Sequence, residues 1–472
     1  MLSKLTCRWM VAGGVLAGLL VMAAAQDDAA FQQWLVQDQA AFAQYNAEVT
    51  AAYQRFYEEE QKAFQEFLRQ AGDRWGRQNV WVPERKTWVQ YADDFGERSQ
   101  VGFEEGECRV QVLFDHPVTA DDPAVRKELE QAVQYLVLSG TEDPVQMTRR
   151  LMKEGPAAST PAGGTAPAAA TYTVRSGDSL WAVAKRLGVS REALADANGI
   201  DANGWLKVGQ VLKVPGSVTA AGGTGGGRRM PDSKSPVILD QVRMPDGSVV
   251  NRGNAAAFGQ AVVAGASPVV TAIKGADGKD RHAVTTQFRL VPEHIRIRAE
   301  KYRPHVAEYA RKNDLMPALV YAIMHTESAF NPRARSGAPA YGLMQLVPRS
   351  GARDAYLSAY GQDTMLDPDY LYDPKRNIEL GAELLKILDR RYLKAIEDPF
   401  SRLYCAIAAY NTGAGNVCRA FIDGTSVKRA AGVINGLSSE AVYDRLCRDL
   451  PYQETRDYLK RVRRRMPLYA GW

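Results

Sequence analysis

"LMPALVYAIMHTESAFNPRARSGAPAYGLMQL", Leu315 to Leu346, decides how the C-terminal half of the chain folds. Its first part is apolar at helical spacing, with Leu319, Val320 and Ile323 on one stripe and Pro332 closing the helix. Glu327 falls four residues after Ile323 and seven after Val320, so an ionisable group ends the apolar face, where a charge is costly. Partial desolvation raises a carboxyl pKa from about 4.3, and a rise of roughly two would keep it protonated near neutrality, as a general acid must be. A buried, paired structural glutamate fits the same spacing, and the helix alone leaves both readings open. His325 turns away from the apolar stripe and is expected to be exposed.

The carboxylate that follows Glu327 in the chain is Asp354. Asp354 and Asp373 read as helix caps or terminators, although either is able to fold into a cleft. Downstream, "ARSGAPAYGLMQLVP" supplies small residues, hydroxyls and an amide, and "AAYNTGAGNV" at 408–417 supplies an aromatic ring, an amide and a glycine-rich bend. Sugars are held by aromatic faces and directional hydrogen bonds, which these groups provide.

In this order and spacing, "ESAFNPRARSGAPAYGLMQ", "AAYNTGAGNV" and "ETRDYLKRV" resemble the soluble lytic transglycosylase (SLT) family. "WVQYADDFGERSQVGFEEG" and "LVPEHIRIRAEKY" extend the likeness to its membrane-bound C type. The resemblance implies an all-α, lysozyme-like catalytic lobe over 291–472. Glu327 then looks like the single catalytic acid/base. Ser336 matches the serine that helps place the substrate's N-acetyl group. Tyr341, Met344 and Gln345 of the "AYGLMQ" run, the Tyr410–Asn411 pair and Tyr458 match substrate-binding positions. Glycosidases ordinarily use two carboxylates. The resemblance instead implies cleavage of the β-1,4 bond between N-acetylmuramic acid and N-acetylglucosamine of peptidoglycan without water. The substrate's own acetamido oxygen supports C1, and the C6 hydroxyl closes a 1,6-anhydro ring. No cofactor is implied. The alternatives are a goose-lysozyme-like muramidase that hydrolyses the same bond and a non-enzymatic peptidoglycan-binding scaffold.

Outward from this lobe, the architecture reads as α+β and multidomain. After residues 1–25, the run from Phe31 to Gly72 lacks proline and repeats aromatics at three- and four-residue intervals, predicting a long amphipathic helix. Strands at "WVQYADDF" and "CRVQVLF" and a helical stretch over about 122–152 make 26–154 an α+β domain. Two stretches poor in large apolar residues, 155–171 and 216–235, read as linkers. Beyond them, the Asp246-Gly247 and Asp277-Gly278 turns sit between apolar runs, so 236–290 is expected to supply strands that complete the N-terminal sheet.

Between the linkers, "YTVRSGDSLWAVAKRLGVSREALADANGIDANGWLKVGQVLKVP" at 172–215 reads as β-α-α-β, with Ser179 an N-cap and Leu180, Val183, Ala184 and Leu187 the buried stripe. It resembles the lysin motif, LysM, which implies binding to N-acetylglucosamine-containing glycans. The groove loops of that family match Gly177, Asp178 and Ser179, and Asn198, Gly199 and Ile200. Read as plain structure, Gly177-Asp178 is a turn and Asn198-Gly199 a helix C-cap.

Lys4 and Arg8 precede an apolar run ending in Ala23, Ala24 and Ala25, the layout of a secretory signal peptide cleaved before Gln26. An uncleaved anchor is the other reading. No cysteine follows the run, so the lipid attachment of the membrane-bound type is not expected, and a soluble periplasmic location is. The net charge of +5 is too small to indicate nucleic acid. Residues 301–472 carry 26 Lys and Arg against 19 Asp and Glu, which suits an anionic polymer such as peptidoglycan or a merely solvated surface. Envelope proteins that dock on the N-terminal domain are a further class of partner. Of five cysteines, Cys108, Cys405, Cys418 and Cys447 remain after the signal, with Cys418–Cys447 the expected pair in an oxidising compartment. None of the histidines forms a metal-ligand spacing with these thiols, so no metal is expected.

Overall fold

Side chains alternate across a β-strand, and that alternation sets the layers of the N-terminal part. The computed structural model describes residues 29–140, 144–154, 171–174, 183, 191–200, 209–213, 236–337 and 340–472. The chain divides into two units, Met1–Glu154 with Met230–Trp472, and Gly155–Arg229. The first unit opens with α1 (Ala29–Trp75), β1 (Thr87–Tyr91), β2 (Glu97–Gly102), β3 (Glu107–Phe114), α2 (Pro123–Leu138) and α3 (Pro144–Glu154). The second holds β4 (Thr171–Thr173), α4 (Arg191–Asn198) and β5 (Val211–Lys213). The first resumes with α5 (Ala255–Gly265), β6 (Val269–Lys274) and β7 (Asp280–Arg289).

The sheet of the first unit is antiparallel, in the order β1-β2-β3-β7-β6. Cys108 stands opposite Phe288 and Val112 opposite Val284, so strands from both sides of the second unit share one ladder. Trp88, Val110, Val112 and Val284 pack with Leu129 and Val133 of α2 and Phe258 of α5. Their neighbours Val89, Leu113 and Ala283 point the other way, onto Phe67, Ala71 and Trp75 of α1 and Met147 of α3. Asp277-Gly278 makes the β6–β7 turn, with Gly278 at φ 82°. The 237–250 run differs from its predicted strand. It forms a 3-10 turn at Leu239–Gln241 and one isolated bridge, Arg243 to Val249. Val237, Ile238, Val242 and Val250 are drawn into the α2 core, and Gln241 satisfies the Val237 carbonyl with its own amide. A buried apolar run is compatible with strand or coil, and the core decides here.

From His294 onward the first unit is helical: α6 (His294–Lys301), α7 (Arg303–Lys312), α8 (Pro317–Ser328), α9 (Gly351–Tyr360), α10 (Pro368–Tyr372), α11 (Pro374–Ile387), α12 (Pro399–Thr412), α13 (Ala414–Cys418), α14 (Val427–Ile434), α15 (Ser439–Asp449) and α16 (Gln453–Arg465). Proline at the first helical position and an acceptor before it start several of these. Asp373 caps α11 by accepting from Arg376 N, and Asp398 caps α12 by accepting from Ser401 N. Asp354 lies in the first turn of α9. Their core gathers Val320, Ile323, Leu343, Leu380, Ile407 and Leu459 around α8. Cys418 and Cys447 do not pair, and all four described cysteines are free thiols. The Cys418 thiol donates to Ala414 O within its own helix, and Cys447 faces Tyr443, so each thiol is committed locally.

In the second unit β4 and β5 pair antiparallel, Tyr172 opposite Leu212, over a small core of Val174, Val183, Leu194, Ala195 and Leu212. Gly177, Asp178 and Ser179, with the rest of the predicted first helix apart from Val183, lie outside the described residues, as does the signal segment. Among the described residues no helix is long and apolar enough to cross a membrane.

Candidate active site

A helix apolar on one stripe has an outer face, but α8 has none. Every residue from Leu319 to Ser328 is buried. Its hydroxyls are satisfied, Thr326 donating to Ala322 O within the helix, and Ser328 to Met324 O within it and to Leu343 O of the following loop. His325 is therefore 5% exposed, which corrects the expectation of an exposed ring. Its Nδ1 lies 2.9 Å from the Tyr469 hydroxyl, and its Nε2 lies 3.5 Å from Glu104. The helix ends before Pro332, because Ala329 and Phe330 both turn left-handed, at φ 48° and 62°. Such a conformation costs a residue with a Cβ on the order of 1–2 kcal/mol, and it redirects the chain at once into the 331–346 loop.

Glu327 sits in the last turn, 4% exposed. Burial pushes its carboxyl up to about 7, against the pull of Arg85 and of the Tyr458 hydroxyl. Arg85 Nη1 stands 3.6 Å from Glu327 Oε2, and its Nη2 is 2.6 Å from Glu454. Tyr458 of α16 buries its ring beside the carboxyl and Tyr410 of α12 stands half-buried next to it, and desolvation with the adjacent carboxylate drives both hydroxyls well above the usual tyrosine range. Both are therefore fixed donors at neutral pH.

The loop after α8 is held from several sides. Asn377 of α11, fully buried, donates to Tyr341 O at 2.9 Å and Leu371 O at 2.7 Å and accepts from Met344 N at 2.8 Å. Tyr410 donates to Met344 O at 2.8 Å. Gln345, at φ 49°, donates from its amide to Ala334 O and Gly342 O, while its buried Oε1 meets no donor among the described residues. That oxygen is a ready acceptor for a bound polar group. On the far side Arg335, next to Ser336, pairs with buried Glu60 of α1.

The structure thus gathers Glu327, Tyr410 and Tyr458 around one carboxyl and places Gln345 on the adjoining loop. Ser336 is half-buried on that loop, its N–H donating to Ala340 O. Tyr341 and Met344 are buried beneath it, Tyr341 edge-on to Tyr372 and Met344 against Gly381. Asn411 accepts from Thr455 and so ties α12 to α16. In the second unit the Asn198 side chain bonds to Leu194 O and to both the N–H and C=O of Lys213, while Gly199, at φ 63°, ends α4. Ile200 packs on the small core of that unit.

Sequence reasoning missed Arg85 and Asn377. A lone amide inside the apolar "NIELGAELL" run was a signal for Asn377, because a buried amide must be spoken for. Arg85 left none, since its position depends on how the sheet domain meets the helical lobe. Among the described residues no cluster of His, Cys, Asp and Glu is arranged to hold a metal.

Comparison with known proteins matches residues 304–430 to the Transglycosylase SLT domain family and 172–215 to the LysM domain family. Residues 37–147 match the family described as membrane-bound lytic murein transglycosylase C, N-terminal domain. Similar curated proteins are membrane-bound lytic murein transglycosylase C of Serratia proteamaculans, 42% identical over 38% of this chain and 49% of the relative, and its namesake of Haemophilus ducreyi, 41% identical over 39% of this chain and 49% of the relative. The chain spans about half the length of the curated relatives it matches. A solved structure, the lytic transglycosylase Slt of Pseudomonas aeruginosa, aligns at 26% identity over 36% of this chain and 25% of its own, with a TM-score of 0.28. The matches thus fall on the segments whose motifs resemble the SLT and LysM families and on an N-terminal stretch similar to that of the C type.

Proposed function

We propose that the chain is a peptidoglycan lytic transglycosylase, cleaving the β-1,4 bond between N-acetylmuramic acid and N-acetylglucosamine and leaving a 1,6-anhydro end. The observation that carries this reading is a buried Glu327 with its pKa raised to about 7. A group poised there is protonated often enough to serve as an acid and ionised often enough to serve as a base.

In the first step Glu327 gives its proton to the glycosidic oxygen as the C1–O bond breaks, and the acetamido oxygen of the substrate supports the cationic C1. In the second, the Glu327 carboxylate takes the proton of the C6 hydroxyl while O6 bonds to C1. The proton returns to where it began, and no water is consumed. Tyr458, a neutral donor beside the carboxyl, keeps it oriented through both transfers, while Tyr410 holds the loop by donating to Met344 O. Ser336 and the free acceptor of Gln345 supply hydrogen bonds to the sugar, and Asn411 shapes the α12 side of the cleft. The LysM module holds the enzyme on glycan strands through the Gly177–Ser179 and Asn198–Ile200 loops, and tethering raises the local concentration of substrate. The enzyme works in the cell envelope, in the periplasm, delivered by residues 1–25.

Replacing Glu327 with Gln is expected to lower release of 1,6-anhydromuropeptides from purified sacculi by on the order of 10²–10⁴-fold while sacculus binding persists. Retained turnover would defeat the assignment. Mass spectrometry of wild-type products separates the two chemistries, because a hydrolase adds a water to each new end.

A further inference from the structure

Glu327 does not stand alone with its tyrosines, because the N-terminal part of the chain reaches into the site. A tight turn, closed by Glu84 N to Thr87 O at 3.0 Å and Thr87 N to Glu84 O at 3.3 Å, carries Arg85 at its tip. The turn is pinned on both sides. Asn331 donates to Arg85 O at 3.4 Å, Phe103 N donates to Lys86 O at 2.8 Å, and Lys86 pairs with Glu104 at 2.5 Å. One arm of the guanidinium is bound tightly to Glu454, at 2.6 Å, and the other stops 3.6 Å from Glu327.

We propose that Arg85 is a positioning residue for the proposed reaction, a cation that steadies the Glu327 carboxylate between its two proton transfers, with Glu454 keeping it from closing into a full ion pair. This rests on the acid/base reading of Glu327. The logic is a balance of distances. A one-carboxylate cycle must pass through an ionised, buried Glu327 before O6 is deprotonated, and burial alone makes that state costly. A guanidinium in direct contact would hold the group ionised throughout and forfeit the first proton. Held off at 3.6 Å by its stronger bond to Glu454, Arg85 offsets part of the cost and leaves the acid form accessible. The charged and titratable groups facing Glu327 are Arg85 from the turn, Glu454, Tyr458 and Arg461 from α16, and Tyr410 from α12. Arg85 and Arg461 favour the carboxylate, and Glu454 opposes it.

The test is the pH dependence of 1,6-anhydromuropeptide release by the full chain on purified sacculi, with Arg85→Gln, Arg85→Lys, Glu454→Gln and Glu327→Gln. Arg85→Gln is expected to move the alkaline limb up by about half to one pH unit and to lower the rate at the optimum by roughly tenfold. Arg85→Lys recovers most of both. Glu454→Gln moves the limb down, because it removes an opposing charge and frees Arg85 to close on Glu327. Limbs that stay put, or move in the same direction in Arg85→Gln and Glu454→Gln, overturn the inference even when Glu327→Gln is inactive. Turnover by Glu327→Gln overturns the acid/base reading itself. Should Arg85→Gln fail to fold, the direction of the Glu454→Gln limb decides alone.

Discussion

A buried carboxyl is a burden on the fold, and Glu327 measures it. Its pKa rises on folding, so the native state binds the proton more tightly than the unfolded chain does. The wild-type protein therefore loses stability as pH rises from the unfolded value near 4.3 through about 7, and the loss is complete above that. Glu327→Gln is expected to be more stable than wild type at pH 8 by on the order of 3–4 kcal/mol, with the difference fading toward pH 4, as read from thermal melts across pH. At this scale the sequence was informative about the group and uninformative about its neighbours. The spacing of Val320, Ile323 and Glu327 placed the carboxyl on an apolar face. The same helical wheel set His325 in solvent, because a wheel cannot reveal that α16 and the sheet domain close over the other side, where Glu104 and Arg465 meet it.

Among elements, the 331–346 loop has little regular structure of its own and borrows its shape from α11 and α12. Gly342 at φ 77° would bring a Cβ within 2.4 Å of Asn377 Nδ2 and Leu371 O, so the backbone passes there only without a side chain. Asn377 answers three backbone groups of that crossing at once. Asn377→Ala is expected to cost roughly 2–4 kcal/mol, since each orphaned buried group carries its own desolvation penalty, and to depress kcat by loosening Met344 and Gln345. Denaturant titration and kinetics on sacculi would check the two effects. Helix α8 was legible from periodicity, and β3 from alternation. The loop's supports were not, because the bonds of Asn377 join residues far apart in the chain and leave no local period.

For the molecule as a whole, the chain divides into two units, residues 155–229 and the remainder. The remaining unit carries its own cores on both faces of the sheet and in the helical lobe. Excising 155–229 and joining the flanks is expected to leave Tm within about 2 °C of the parent while sacculus affinity falls by roughly 10–100-fold, measured by melting and by co-sedimentation. What composition could not convey is how firmly the sheet domain is fastened to the helical lobe. Arg298 of α6, fully buried, donates to Ala329 O, Gln241 Oε1 and Phe103 O, joining the start of the 331–346 loop to the 3-10 turn and the β2–β3 hairpin. Arg465 joins His325 O to Glu104 in the same way.

The β3–β7 ladder also has a temporal side. β3 ends at Phe114 and its neighbour begins at Asp280, so during synthesis β3 waits with a bare edge while the intervening residues are made. Unpaired edges invite association with other chains. Nascent fragments that stop short of Asp280 are therefore expected to aggregate more readily than the full-length polypeptide, as read from sedimentation of truncated chains.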